Sequence, residues 1–72
     1  MRNTIKVERA KKDITQAELA EVLNVSRLTI HSIETGKFNP SVLIALKMAR
    51  YFNVAVEELF ILEEIDHLTI NQ

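Results

Sequence analysis

A connection of only three residues between two helical segments constrains the fold of this chain more than any other feature of its sequence. Residues 16–23 and 27–35 both have helical composition, and Asn24-Val25-Ser26 is all that separates them. Three residues are too few for an antiparallel hairpin with full side-chain packing, but they suit a sharp bend with Val25 in the core. The sequence therefore predicts two helices packed at a large angle around a tight turn.

Capping signals on both sides of this turn define the helices. Thr15 and Glu18 form a Thr-x-x-Glu capping box before the second helix, and Asn24, which tolerates left-handed backbone angles, ends it. Ser26 can cap the third helix, and Gly36 stands just beyond its end. The same kinds of signal predict five helices, over residues 4–12, 16–23, 27–35, 42–52 and 56–60.

The length of the chain, 72 residues, is that of one small domain. The five helices predict an all-α bundle over residues 1–60, followed by an acidic and apolar tail over residues 61–72. Within the tail, Ile61, Ile65 and Leu68 have helical spacing, whereas residues 67–70 have the composition of a strand. The sequence therefore leaves the structure of the tail open.

The charge of the chain is divided between a basic body and an acidic end. Residues 1–50 contain all nine Lys and Arg with five acidic residues, whereas residues 51–72 contain five acidic residues and no base. This asymmetry suggests a polyanionic partner for the body. No segment approaches the roughly 20 apolar residues that cross a bilayer, and the chain has no cysteine. We therefore expect a cytoplasmic protein with no membrane association, metal, cofactor or small-molecule ligand.

The region around the tight turn contains a characteristic series of motifs. They are Thr15-Gln16-Ala17-Glu18-Leu19-Ala20, Val25-Ser26-Arg27, Ile30-His31-Ser32-Ile33-Glu34-Thr35-Gly36-Lys37 and Asn39-Pro40-Ser41. In order and spacing, over about residues 4–60, the chain resembles the phage-repressor-like (Cro/cI, or xenobiotic-response-element) family of helix-turn-helix DNA-binding proteins. Two positions depart from that family, because Asn24 stands where glycine is common and Ala55 where a Ser or Thr cap is usual.

The resemblance implies a domain whose second helix lies across the DNA backbone and whose third helix enters the major groove. Short members of the family usually act as homodimeric transcription regulators on near-palindromic operators. We therefore expect a homodimeric repressor that binds double-stranded DNA, in the nucleoid of a prokaryotic cell or encoded by a phage. In some short members the segments flanking the helices pair as a small β-ribbon, and the resemblance allows residues 1–4 and 62–66 to do so here.

The third helix has an apolar side and a polar side. At 100° per residue, Ile30, Ile33 and Glu34 share one side, which is expected to face the core. A carboxylate among packed isoleucines needs a partner. In the family, an arginine of the first helix, matching Arg9, forms a structural ion pair with the glutamate matching Glu34.

The polar side of the third helix carries the candidate DNA contacts. Arg27 can bond guanine O6 and N7, Leu28 can contact a thymine methyl group, and His31 or Ser32 can bond a base or a phosphate. Taken alone, each of these side chains also suits an ordinary solvated helix surface. The candidate base-reading residues are Arg27, Leu28, His31 and Ser32. The candidate phosphate contacts are Gln16, Thr29, Thr35, Lys37 and Asn39.

The fourth helix has more apolar surface than one core contact requires. Its predicted core side consists of Val42, Ala45, Leu46, Met48, Ala49 and Phe52. Ile44 and Tyr51, seven residues apart, form a second apolar stripe that a monomer would expose to water. We interpret this stripe as a dimer interface, to which Leu43 and the tail residues Leu62 and Ile65 are assigned. The alternative is apolar residues scattered over an ordinary surface.

Two other classes of function compete with DNA binding. An enzyme is disfavoured because the sequence offers no nucleophile with a base, no glycine-rich phosphate loop and no evident pair of catalytic carboxylates. The stronger alternative is an antitoxin or another protein-interaction module built on the same domain. A pure interaction module would have no need of Arg27, Ser32 and Lys37 on the surface that faces DNA.

Overall fold

The computed structural model describes residues 1–66 as five helices, two short strands and a helical turn at residues 64–66. The elements are β1 (Arg2–Asn3), α1 (Ile5–Lys12), α2 (Gln16–Leu23), α3 (Arg27–Glu34), α4 (Val42–Phe52), α5 (Val56–Leu59) and β2 (Phe60–Ile61). The predicted helical bundle is confirmed, and each helix lies within one residue of its predicted bounds. The segment 67–70, which the sequence reads as helix or strand, lies outside the described residues, as do residues 71 and 72.

The predicted side-chain caps begin α2, α3 and α4. Thr15 Oγ1 accepts from the Glu18 N–H at 3.1 Å, and the Glu18 carboxylate accepts from the Thr15 N–H at 3.0 Å. Ser26 and Ser41 each accept from the backbone N–H three residues along, both at 3.1 Å. Ala55 supplies no side-chain cap to α5. Each such cap satisfies an N–H group that has no partner within its helix, and contributes about 1 kcal/mol.

Left-handed residues end three of the helices. Asn24 and Asn53 have φ of 58° and 57°, and Asp13 ends α1 with φ of 55°. Gly36, with φ of 79°, follows the end of α3. Asparagine and glycine adopt these angles more readily than other residues, which explains why the sequence reveals these helix ends.

All five helices meet in one core. Ile5, Leu19, Ile30, Met48 and Leu59, one from each helix, are 0% exposed. The other buried apolar residues are Ala20, Leu23, Ile33, Ala49, Phe52 and Phe60. Among residues 1–66 no polar or charged residue is buried, and no helix has the length and apolarity to span a bilayer. Packing of apolar side chains therefore holds the helices together, at about 1.5–3 kcal/mol for each fully buried large side chain.

A small antiparallel ribbon joins the two ends of the helical bundle. Arg2 pairs with Ile61 and Asn3 with Phe60. The existence of the ribbon confirms the prediction, but its second strand is β2 and not residues 62–66, so that assignment is wrong. The physical reason is that α5 ends at Leu59, where the chain extends at once to pair with β1.

The segment after β2 folds back towards the amino end. The Glu63 N–H donates to Asp66 Oδ2 at 2.9 Å and begins the helical turn. The Met1 amino group lies 3.0 Å from Glu63 and 2.9 Å from Asp66. Hydrogen bonds to Asp66 and Glu63 raise the pKa of this amino group above its usual value. Residues 62–66 therefore lie beside the ribbon without forming part of it.

Candidate nucleic-acid interface

The turn between α2 and α3 sets the direction of α3. Asn24 takes the left-handed conformation, and the Val25 N–H then donates to the Ala20 carbonyl at 3.0 Å. The Val25 side chain packs against the core. Ser26 begins the next helix immediately afterwards. The bend therefore closes over three residues, and α3 is free to project one long side away from the bundle.

The two sides of α3 differ sharply in exposure. Ile30 and Ile33 are 0% and 2% exposed. On the opposite side, Arg27, Leu28, His31 and Thr35 are exposed, and Ser32 is half-buried. Leu28 is 65% exposed, which is high for a leucine in the middle of a small domain. The outer side of α3 is thus a surface of guanidinium, imidazole, hydroxyl and apolar groups that the described chain does not cover.

An ion pair holds α3 from its inner edge. Arg9 Nε donates to Glu34 Oε2 at 2.7 Å, and Arg9 Nη2 donates to Glu34 Oε1 at 3.0 Å. The Glu34 side chain is 7% exposed and that of Arg9 15% exposed. Arg9 Nη1 also donates to the Ile14 carbonyl at 3.0 Å. The hydrogen bonds to Glu34 raise the pKa of Arg9, so this guanidinium stays charged and ties α1 and α3 together.

A weaker set of contacts links Gln16 to the outer side of α3. Arg27 Nη1 donates to Gln16 Oε1 at 3.3 Å, and Gln16 Nε2 lies 3.3 Å from His31 Nδ1. Both contacts are exposed and longer than the usual 2.9–3.0 Å for such bonds. The side-chain amide of Gln16 therefore contacts two candidate base-reading side chains, Arg27 and His31. These contacts are weak enough to exchange for contacts with a ligand.

The remaining candidate phosphate contacts fall into two groups. The Thr29 hydroxyl lies 2.9 Å from the Ser26 hydroxyl, and the Thr35 hydroxyl donates to the His31 carbonyl at 2.9 Å. Both hydroxyls thus already have partners in α3 or at its N-cap. Lys37 and Asn39 are exposed in the loop after α3. Among these candidates the loop residues have the side chains most free to contact a phosphate.

Asn3 holds the end of α3 through contacts that the sequence does not predict. Its side-chain Nδ2 donates to the carbonyls of Ile33 and Glu34 at 3.1 and 3.3 Å, and its Oδ1 accepts from the Ile5 N–H at 3.2 Å. Asparagine before a helix is a capping signal that local sequence reasoning can detect. The contact to α3, 30 residues away, leaves no local signal.

The apolar surface of α4 differs from the one that the sequence predicts. Val42 and Leu46, expected in the core, are 76% and 55% exposed, so that expectation is wrong. Ile44 and Tyr51, expected to form an exposed stripe, are half-buried against the core of their own chain. Both sides of α4 are apolar, so neighbouring elements decide which side is covered. Lys12, whose Nζ lies 5.0 Å from the Tyr51 ring centroid, is one such neighbour.

Exposed apolar side chains remain on another side of α4. Leu43 is 62% exposed and lies with Val42 and Leu46 within an arc of about 100°. We call these three residues the α4 apolar patch. In the segment after β2, Leu62 and Ile65 are 50% and 69% exposed. Leu43, Leu62 and Ile65 are thus the most exposed of the residues assigned to the interface, whereas Ile44 and Tyr51 are half-buried.

Sequence comparisons with known proteins agree on one family, and a solved structure shares its fold. A family model described as helix-turn-helix matches residues 5–59. A helix-turn-helix-type transcriptional regulator of Methanocaldococcus jannaschii is 47% identical over 64 residues, which cover 89% of this chain and 97% of that protein. Another from Archaeoglobus fulgidus is 50% identical over 64 residues, covering 89% and 90%. The crystal structure of a transcriptional regulator from Listeria innocua superimposes with a TM-score of 0.69, at 20% identity, over 100% of this chain and 73% of that one.

Proposed function

The chain belongs to the helix-turn-helix family of transcriptional regulators, and from this premise we propose that it is a homodimeric repressor that reads a near-palindromic operator. In this proposal α3 enters the major groove, and α2 lies across the sugar-phosphate backbone. The bound dimer lowers transcription by occupying its site on the DNA.

The observation that carries this proposal is the uncovered outer side of α3. Arg27, Leu28 and His31 are exposed there, while Ile30 and Ile33 anchor the opposite side. A rigid helix with an exposed guanidinium near its start can present that group to base edges in the major groove. We assign base reading to Arg27, Leu28, His31 and Ser32.

The phosphate contacts in this proposal surround α3. Gln16 lies at the start of α2, where unpaired backbone N–H groups favour an anion. Lys37 and Asn39 lie in the loop beyond the other end of α3. Contacts at both ends fix the register of α3 on the duplex without reading sequence. Thr29 and Thr35 contribute when their hydroxyls exchange their bonds within α3 for a phosphate oxygen.

The dimer in this proposal forms through the α4 apolar patch with Leu62 and Ile65. A set of exposed apolar side chains of this kind is commoner at interfaces than on a monomer surface. One recognition helix contacts only a few base pairs, whereas a two-fold dimer contacts two half-sites about 34 Å apart. Dimerisation therefore serves both the stability of a small domain and the length of the site that it reads.

Selection of bound duplexes from a random-sequence pool tests the proposed function. We expect a two-fold-symmetric consensus whose half-sites are separated by about one helical turn of DNA. A consensus without symmetry would contradict the homodimer on a palindrome. Failure to enrich any sequence, together with no binding to random duplex at low salt, would favour the protein-interaction alternative.

A substitution that introduces a charge tests the proposed dimer surface. We expect Leu46→Glu to convert the protein to a monomer, because a carboxylate in an apolar interface loses its hydration without gaining a partner. Val7→Glu is the matched control, since Val7 is 54% exposed on α1, outside the patch. The measurement is the mass in solution by sedimentation equilibrium. A dimeric Leu46→Glu variant would place the interface elsewhere.

A further inference from the structure

A polar cleft lies between α1 and α3, beside the candidate DNA contacts. It has a volume of about 700 Å³. Its walls come from the start of the chain, α1, the first residue of α2, and α3. The lining residues are Asn3, Lys6, Arg9, Gln16, Arg27, His31, Glu34 and Thr35. One lysine, two arginines, one histidine and a single carboxylate therefore line this space.

Most polar groups in this cleft already have partners in the protein. Both oxygens of Glu34 accept from Arg9, which removes the only acidic side chain of the cleft as a competitor for cations. The side chain of Asn3 is engaged by backbone groups of α1 and α3. The exception is Lys6, which is exposed and whose ammonium makes no ion pair or hydrogen bond within residues 1–66.

We propose that this cleft binds a backbone phosphate of duplex DNA and that Lys6, on α1, is the contact that holds it. The inference rests on the proposed function. The same cleft is lined by Gln16, Arg27 and His31, so a strand that passes over the start of α2 also passes its mouth. Lysine suits such a contact because it acts as a flexible point charge with three donors.

The chemistry of the cleft favours a phosphodiester over a neutral or cationic ligand. With Glu34 neutralised by Arg9, Lys6 and Arg27 leave the cleft with an excess of positive charge. A phosphate between Lys6 and Gln16 would fix α3 from the side of α1 and α2, in addition to contacts made by the loop after α3. Lys6 therefore acts on the position of the domain and not on the choice of base.

The test compares Lys6→Gln with Lys11→Gln, which removes the same charge from the same helix. Lys11 is exposed, does not line the cleft, and lies about 140° from Lys6 around α1. Its bond to Glu8, at 3.2 Å, is a surface ion pair of small effect on stability. Binding of each full chain to a random-sequence duplex and to the selected operator is measured by fluorescence anisotropy over a salt series.

We expect Lys6→Gln to make the slope of log affinity against log salt shallower by about 0.9 for each bound protomer, and so by about 1.8 for a bound dimer. At low salt both duplexes should be bound roughly five- to ten-fold more weakly, because a phosphate contact is independent of sequence. Lys6→Arg should keep the slope of the parent chain, and Lys11→Gln should change it much less than Lys6→Gln does.

The proposal would be overturned if Lys6→Gln and Lys11→Gln had equal slopes of log affinity against log salt. It would also be overturned if Lys6→Gln weakened binding to the operator but not to the random-sequence duplex. If the parent chain binds neither duplex, the proposed function fails, a result that cannot be confused with the failure of Lys6 alone. Thermal unfolding of every variant checks that the fold is retained. Lys6 is exposed, so its replacement should leave the unfolding temperature close to that of the parent.

Discussion

The inner and outer sides of α3 hold their polar side chains in opposite ways. On the inner edge, Arg9 and Glu34 form a two-point ion pair with distances of 2.7 and 3.0 Å, and Glu34 is 7% exposed. On the outer side, Gln16 contacts Arg27 and His31 at 3.3 Å in an exposed setting. Short, largely buried hydrogen bonds fix the position of a helix, whereas long, solvent-exposed hydrogen bonds exchange readily for bonds to water or a ligand.

This difference separates the side chains that fix the position of α3 from the side chains that are available to contact DNA. The helix axis is fixed by Ile30, Ile33 and the ion pair behind it, so the outer side chains need not contribute to stability. They are free to exchange their bonds with Gln16 for bonds to DNA at little cost. The comparison predicts that substitutions on the inner edge change folding, while substitutions on the outer side change binding alone.

The largest effect is expected from Glu34→Ala. It removes the carboxylate that bonds the partly exposed Arg9 guanidinium at two points and leaves that charge only its bond to the Ile14 carbonyl, which costs roughly 3 kcal/mol of unfolding free energy. For a small domain this is comparable with the whole stability. Urea unfolding followed by circular dichroism measures the loss. Glu21→Ala, an exposed glutamate on α2, is the control and should change stability by no more than about 0.5 kcal/mol.

A second variant separates the charge from the packing. Replacing both partners, in Arg9→Met with Glu34→Leu, should recover much of the stability lost in Glu34→Ala, because no unpaired charge remains. If Glu34→Ala is no less stable than Glu21→Ala, the inner edge does not hold α3 and the contrast between its two sides fails.

Arg27→Ala tests the outer side and should leave the unfolding free energy almost unchanged. Operator binding should weaken by about 1–3 kcal/mol for each half-site, with relaxed preference at one base pair of each half-site. Arg27→Lys sharpens the result, since lysine keeps the charge but lacks the planar fork that bonds guanine at two points. We expect it to retain the salt dependence and to lose base preference. Repeating the duplex selection with both variants measures this, and an unchanged consensus would contradict base reading by Arg27.

The same contrast explains how much of the molecule the sequence could predict. The bounds of α2 and α4 follow from caps and left-handed asparagines, which act within a few residues of each helix end. The outer side of α3 follows from helical spacing, because only one side of that helix is apolar. Capping residues and helical spacing therefore suffice to predict an element when only one placement of that element is consistent with them.

Contacts between distant segments explain the errors. Both sides of α4 are apolar, so spacing alone could not decide that Ile44 is half-buried and Leu46 exposed. The partner of β1 was placed two residues too late, because the end of α5 at Leu59 is set by its bond to Thr4 across the bundle. The proposed role of Lys6 depends on α1 lying beside α3, which no pattern along α1 records.

The smallest effect is expected from Lys37→Ala, in the loop after α3. Lys37 is exposed and flanks the outer side without belonging to it, so its loss should change neither stability nor the selected consensus. Binding should weaken equally for all duplexes, and the slope of log affinity against log salt should become shallower by about 1 for each bound protomer. Lys37→Arg should restore the slope, because either cation can bond a phosphate. If Lys37→Ala altered the consensus instead, base reading would extend beyond α3, and the boundary of the outer side would have to include the loop.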